Sequence, residues 1–138
     1  MNKVLISVIL AGFGAQLAKL IIYWFKHKSL SLHDIFVTGG MPSSHSAFVV
    51  SLTTIIYLTE GATALFSLSL VFAMVVVRDA YGVRRTAGNE GKALKKLFKA
   101  HHLKSKDHYA MGHTPKQVII GSIIGFIVAF GVYFLFFL

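Results

Sequence analysis

Four long apolar stretches dominate the sequence, and they leave few folds open to it. They run from Val4 to Phe25, from Ser46 to Leu58, from Ala62 to Val77 and from Val118 to Leu138. About 20 apolar residues in an α-helix cross the hydrocarbon core of a bilayer, and helical flanks lengthen the two shorter stretches toward that number. Because 55% of the residues are hydrophobic, lipid suits this chain better than water. The sequence predicts an all-α integral membrane bundle of about four transmembrane helices.

The 138 residues are few enough for one membrane domain over residues 1–138. The first apolar stretch contains Gln16 and Lys19 and has no clear small-residue cleavage site, so we expect a transmembrane helix there and not a signal peptide. A cytoplasmic amphipathic helix should lie between the third and fourth transmembrane helices, because its apolar residues share one face. We expect the transmembrane helices at about 4–25, 42–59, 62–84 and 115–138, and the amphipathic helix at about 91–102.

The distribution of positive charge predicts how the bundle is oriented. Ten of the 14 Lys and Arg residues fall between Arg78 and Lys116, and only Glu60 and Gly61 separate the second and third helices, which indicates an antiparallel hairpin. Basic residues concentrate on the cytoplasmic side of membrane proteins, so we expect both termini outside. A single basic block of this kind suits anionic lipid headgroups, and we predict no nucleic-acid partner.

The first motif is the segment Gly-Gly-Met-Pro-Ser-Ser-His-Ser at residues 39–46, at the start of the second predicted helix. Free N–H groups and the positive end of the helix dipole favour an anion at such a start. Ser43, Ser44 and His45 can donate further hydrogen bonds, so the segment suits phosphate. The alternative is a plain capped helix start, where proline and serine are common.

The second motif, residues 78–88, follows the third predicted helix on the same side of the membrane. Arg84 and Arg85 carry planar guanidinium groups that match phosphate oxygens. The alternative is that these arginines only anchor the helix end, with Asp79 as a local ion-pair partner. A carboxylate near the membrane boundary is costly unless it is paired or functional, which makes Asp79 a candidate supporting residue.

The third motif, Gly-His-Thr-Pro-Lys-Gln at residues 112–117, opens the fourth predicted helix, again on the cytoplasmic side. Thr114 and Gln117 form a capping-box pattern, which gives Gln117 a sufficient structural role. His113 precedes the cap, where a histidine can act as a nucleophile or as an acid–base group. The alternative is an ordinary boundary histidine.

The three motifs converge on one predicted membrane face. Lys19, in the inner half of the first helix, either extends to the headgroups of that face or lies inside the bundle beside an anion. The chain has no cysteine. Four histidines and one aspartate are considered as metal ligands: His101, His102, His108, His113 and Asp107. Their spacing matches no compact metal-ligand pattern, so we predict no metal and no cofactor.

These three motifs, together with Ala15, Gln16 and Lys19 in an Ala-Gln-x-x-Lys pattern, resemble the divergent type-2 phosphatidic acid phosphatase family, which is related to acid phosphatases and vanadium-dependent haloperoxidases. The resemblance covers nearly the whole chain. It implies a helical fold in which His45 is the acid, Arg84 or Arg85 holds phosphate, and His113 is the nucleophile. Vanadium would enter only by analogy with phosphate, and we do not predict it.

The sequence departs from the pattern of that superfamily at three positions. Ser44 replaces a glycine, Asp107 stands six residues before His113 where the superfamily has an arginine, and Gln117 occupies the place of the orienting aspartate. A glutamine can hydrogen-bond a histidine but cannot stabilise its cation by charge. Membership in the family therefore does not by itself establish turnover.

Three functions follow as expectations. The first is a membrane phosphatase or phosphotransferase for a lipid phosphate or diphosphate, with His113 and His45 as catalytic residues. The second is a non-catalytic protein that binds or moves a phosphorylated lipid through the same site. The third is a small scaffold that forms homo-oligomers through small-residue helix faces. In the first two, Ser43, Ser44, Arg84, Arg85 and Lys19 bind phosphate, and Asp79, Gln117 and Gln16 support the site.

Overall fold

The computed structural model describes residues 3–28, 40–103 and 112–137 and shows an all-helical protein, with no strand in those ranges. The all-α prediction is confirmed. Asp107 and His108, which entered the metal hypothesis, lie outside the described residues. Within those ranges the helices are α1 (Lys3–His27), α2 (Ser44–Glu60), α3 (Ala64–Tyr81), α4 (Val83–Ala100) and α5 (Pro115–Phe137).

Local capping explains where the helices begin. Ser43 is the N-cap of α2, and its hydroxyl accepts a hydrogen bond from the Ser46 N–H at 3.4 Å. The helix therefore begins two residues after the predicted start at 42, and Pro42 precedes the cap. Thr63 caps α3 in the same way through the Phe66 N–H. The short link between α2 and α3 makes them the expected hairpin.

The amphipathic helix is longer than the apolar pattern predicts. α4 begins at Val83 and not near residue 91, and only Gly82, the C-cap of α3, separates it from the end of α3 at Tyr81. Its first half is too polar to show apolar periodicity, but the backbone forms a helix there, and the Thr86 hydroxyl also donates to the Gly82 carbonyl. Leu94 and Leu97 are exposed.

Helix α2 is the centre of the bundle, because it packs against α1, α3 and α5. Its contact with α5 is backbone to backbone: a Cβ atom added to Gly121 would overlap the Ser43 carbonyl, and one added to Gly125 would overlap the Ala47 carbonyl. The two glycines therefore let the helix backbones approach closely. Helices α3 and α5 touch each other only weakly.

Two buried polar contacts join the helices inside the apolar bundle. The Ser7 and Ser51 hydroxyls hydrogen-bond at 2.7 Å between α1 and α2. The Thr53 hydroxyl donates to the Ser69 carbonyl at 3.1 Å between α2 and α3. Hydroxyls that pair across helices satisfy groups that would be costly unpaired in lipid, so these contacts fix the relative positions of the helices.

Three helical stretches are long and apolar enough to cross a membrane: Lys3–Phe25, Ala64–Ala100 and Pro115–Phe136. The apolar residues of the second lie in α3. Helix α2 has 17 residues and a length of about 26 Å, slightly short of the roughly 30 Å hydrocarbon core. A fourth span and a cytoplasmic location of α4 therefore remain predictions.

Candidate active site

The N-termini of α2 and α5 are joined by the backbone at one end of the bundle, which we call the site end. The Ser43 N–H donates to the Gln117 carbonyl at 3.1 Å, and the His113 N–H donates to the Ala80 carbonyl at 3.0 Å. The start of α2, the start of α5 and the last turn of α3 therefore meet. Two helix N-termini at one place concentrate positive dipole ends and free N–H groups, an arrangement that suits an anion.

Gly112 brings a fourth segment to this end. A Cβ atom added to Gly112 would overlap the backbone of Arg84 and Arg85, so only glycine allows this approach. The contact holds the residue before His113 against the first turn of α4. All three sequence motifs consequently meet at the site end.

His113 is buried, with 4% of its surface exposed, and its Nδ1 atom has no hydrogen-bond partner among the described residues. Burial is the main influence that lowers the pKa of its imidazole, and the charge of Lys19 lowers it further. Gln117 and the Gly40 backbone act in the opposite direction without reversing the shift. The imidazole is therefore a neutral free base at neutral pH, which is the form required of a nucleophile.

His45 lies in the first turn of α2 and is exposed, and its ring centroid is 6.4 Å from that of His113. Rings this close can both contact one tetrahedral group that lies beside them, at about 3 Å each. The charges of Arg84, Lys19 and Asp79 all act on His45. Two imidazoles and two cationic side chains are thus close together at the site end.

The two candidate arginines occupy different surroundings. Arg84 donates through Nε to Oδ2 of Asp79 at 2.6 Å, and both side chains are partly exposed. The charge of Arg84 also acts on His45. Arg85 is exposed, and its backbone packs against Gly112. Phosphate binding by either arginine stays a prediction.

Lys19 reaches the site end from α1. It is half-buried, and its side-chain methylenes lie beside Gly40, 3.8 Å from where a Cβ atom of that residue would be. Its charge acts on both His45 and His113. Gln16 is half-buried one turn earlier on the same helix. The side chain thus lies close enough to the histidines to act on them, and an anion partner for Lys19 stays a prediction.

The serines have structural roles that the sequence only partly indicated. Ser43 is fully buried, and its hydroxyl accepts from both the N–H and the hydroxyl of Ser46. Ser44 is half-buried in the first turn of α2, where its N–H group has no partner within the helix. The capping box predicted for Thr114 and Gln117 is confirmed, since the Thr114 N–H donates to Gln117 Oε1 at 2.9 Å.

Sequence reasoning overlooked Gly40, Ala80 and the contact made by Gly112. Ala80 contributes only its backbone carbonyl. Every residue has this group, so the residue type gives no sign of the contact. Gly112 directly precedes His113, and a glycine beside a candidate site residue is a usable sign of close backbone approach. No three His, Asp or Glu side chains cluster as metal ligands within the described part of the chain.

Comparison with known proteins shows to which family the chain belongs. Residues 1–128 match the Divergent PAP2 family, which covers every part of the site end described above. The chain belongs to this family. The resemblance seen in its motifs is therefore confirmed.

A relative from Bacillus subtilis (strain 168), the uncharacterized membrane protein YuiD, is 34% identical to this family member over 141 residues. The match covers 90% of this chain and 89% of YuiD. No solved structure matches. Together with the three apolar helices, the relationship identifies this chain as an integral membrane protein.

Proposed function

We propose that the protein is a membrane-embedded phosphatase or phosphotransferase that acts on a lipid phosphate or diphosphate. One observation carries the proposal: the buried His113 ring lies 6.4 Å from that of His45 where two helix N-termini meet. The PAP2 lineage of the family supports phosphoryl chemistry at this place. The apolar bundle supports a lipid as the molecule that carries the phosphate.

The chemistry divides into two steps. Nε2 of His113, the ring nitrogen other than the buried Nδ1, attacks phosphorus while the P–O bond to the lipid breaks, and the departing oxygen takes a proton from His45. Arg84, Lys19 and the N–H groups at the start of α2 stabilise the charge on the phosphoryl oxygens. Water, or an acceptor alcohol, then gives its proton to His45 and attacks the phosphohistidine. Phosphate or the new ester leaves, and His113 returns to its free base.

Phosphate release by the purified, reconstituted protein tests this proposal. The substrates are a panel of lipid phosphates and diphosphates, and the variants are His113→Ala, His45→Ala and, as a matched control, His101→Ala. His101 is an exposed histidine at the C-terminal end of α4, away from the site end. We expect the first two variants to lose at least about a hundredfold in rate and the control to retain it. A rate unchanged in His113→Ala rejects the nucleophile.

A second candidate function is the binding or movement of a phosphorylated lipid without turnover. It is favoured by Gln117, whose side-chain oxygen caps α5, and by Nδ1 of His113, for which the described part of the chain offers no carboxylate partner. Lipid binding that survives both His113→Ala and His45→Ala, with no phosphate release by the wild type, would support this function over catalysis.

A further inference from the structure

An apolar groove separates α3 from α5 where these two helices fail to pack tightly. Its volume is about 520 Å³, and its walls are almost entirely apolar. Val77 and Tyr81 of α3 form one wall, and Ile119, Ile123 and Phe126 of α5 form the other. Val50 of α2 also lines the groove. The groove runs along helices that cross the membrane, so hydrocarbon is the medium around it.

One end of the groove adjoins the site end. Its lining includes Pro115, two residues after His113, and Tyr81, the neighbour of Ala80, whose carbonyl accepts from the His113 N–H. The Arg78 guanidinium lies over the Tyr81 ring, 5.2 Å from its centroid. The groove is therefore apolar along its length and bordered by cations where it meets the histidines.

The length of the groove matches one leaflet of a bilayer. Its lining residues on α5 extend from Pro115 to Phe126, which is about 16 Å of helix. Half of a hydrocarbon core of roughly 30 Å is nearly the same distance. A chain that begins at the headgroup level and ends near the bilayer centre would fill it.

We propose that this groove binds one hydrocarbon chain of the lipid whose phosphate is held by His113, His45 and Arg84. The inference rests on the proposed function and narrows its substrate class to lipid phosphates with a chain as long as one leaflet. The apolar walls select the chain, and the cations at the end of the groove place its anionic headgroup beside His113. Water-soluble phosphate esters lack the part that the groove binds.

Photolabelling tests the groove independently of turnover. The reconstituted full chain is irradiated with phosphatidic acid that carries a diazirine on one acyl chain, and with the matching diacylglycerol. We expect the phosphatidic acid to label groove residues of α3 and α5 in preference to other lipid-facing positions. Val77→Phe should lower this labelling by about tenfold, since filling the groove removes a few methylene contacts.

Val75→Phe is the matched control. Val75 is the same residue type two positions earlier on α3, so it faces away from Val77, and 62% of its surface is exposed. Val75→Phe should leave the labelling unchanged. If Val77→Phe does not fold, Ile123→Trp replaces it, because Ile123 is half exposed on the groove wall and tolerates a larger side chain.

Two outcomes overturn the proposal. Labelling spread evenly over the outer helix faces, and insensitive to Val77→Phe and Ile123→Trp, shows that no chain binds in the groove. Equal labelling of the groove by diacylglycerol shows that the groove is not linked to a phosphate site. A separate phosphate-release assay tests the proposed function. That function fails if the protein releases phosphate from neither long-chain nor dihexanoyl phosphatidic acid.

Discussion

Gln117 makes several hydrogen bonds that hold the local fold together. Its side-chain oxygen accepts from the Thr114 N–H at 2.9 Å, and its backbone N–H donates to the Thr114 hydroxyl at 3.4 Å. Its carbonyl accepts from the Ser43 N–H. Through these hydrogen bonds, Gln117 anchors the start of α5 to the start of α2. Among the described residues, no carboxylate contacts Nδ1 of His113.

Replacing Gln117 by Glu should strengthen the candidate nucleophile. Glutamate has the same length and keeps the capping box, while its charge near His113 stabilises the imidazolium. We expect the pKa of His113 to rise in an NMR titration and phosphate release to increase by about tenfold, which corresponds to roughly 1.4 kcal/mol. A pKa of His113 that does not rise would show that the side chain at 117 does not act on this ring.

The lowered pKa of His113 also predicts how stability depends on pH. The folded protein holds the imidazole neutral, whereas the unfolded chain binds a proton below its ordinary pKa of 6.5. The stabilisation is therefore present above pH 6.5 and is lost as the pH falls, by at most about 1.4 kcal/mol per pH unit for one proton. Detergent unfolding at pH 7.5 and 5.5 should show a larger loss for the wild type than for His113→Gln. Equal losses would contradict the prediction.

The sequence alone does not show which of Arg84 and Arg85 lies toward the histidines. Neighbouring residues on a helix point about 100° apart, so only the helix start decides which one faces the histidines. That start is Val83, which the apolar pattern does not reveal. His45 and His113, by contrast, could be placed together because each opens a helix at the same end of the bundle.

Among the helices, the contact between α2 and α5 depends on two glycines with no room for a side chain. This contact extends to the site end, because Gly121 lies against Ser43, the N-cap of α2. Packing at these positions therefore positions His45 relative to His113.

Gly125→Ala should destabilise the bundle, and Gly131→Ala should not. A methyl group at 125 would overlap the Ala47 backbone, whereas nothing lies within 4 Å of a Cβ atom at 131. We expect a loss of about 1–3 kcal/mol for the first and a gain of up to about 1 kcal/mol for the second, since alanine favours a helix interior over glycine. Unfolding in mixed micelles measures both. Equal effects would show that α2 and α5 do not touch there.

The helices predicted from apolar periodicity agree with the structure within a few residues, but α4 does not. Its first turns carry Arg84, Arg85, Thr86 and Asn89, which give no apolar face to detect. The backbone extends the helix from Gly82 through local hydrogen bonds, a cause that hydrophobic patterning does not register.

For the whole molecule, the antiparallel hairpin places the start of α2 beside the end of α3. The three motifs lie at helix ends on that side, so they meet at one end of the bundle. That consequence could be drawn from the sequence. The groove between α3 and α5 could not be predicted, since it depends on how loosely these two helices pack, which no residue pattern records.

The orientation in the membrane can be tested with single cysteines, because the native chain contains none. Lys96→Cys lies on α4, the helix that begins at the site end, and Glu60→Cys lies at the other end of the hairpin; both side chains are exposed. In intact cells, a membrane-impermeant maleimide should label Glu60→Cys and should reach Lys96→Cys only after permeabilisation. The reverse pattern would place the candidate site outside.

The central claim is that His113 carries the phosphoryl group. The direct measurement is rapid quenching of the reconstituted protein during reaction with a radiolabelled lipid phosphate, followed by location of the label. The account predicts label on His113 that is stable in alkali and lost in acid, present in His101→Ala and absent from His113→Ala. Phosphate release with the label on another residue, or label retained in His113→Ala, would contradict it.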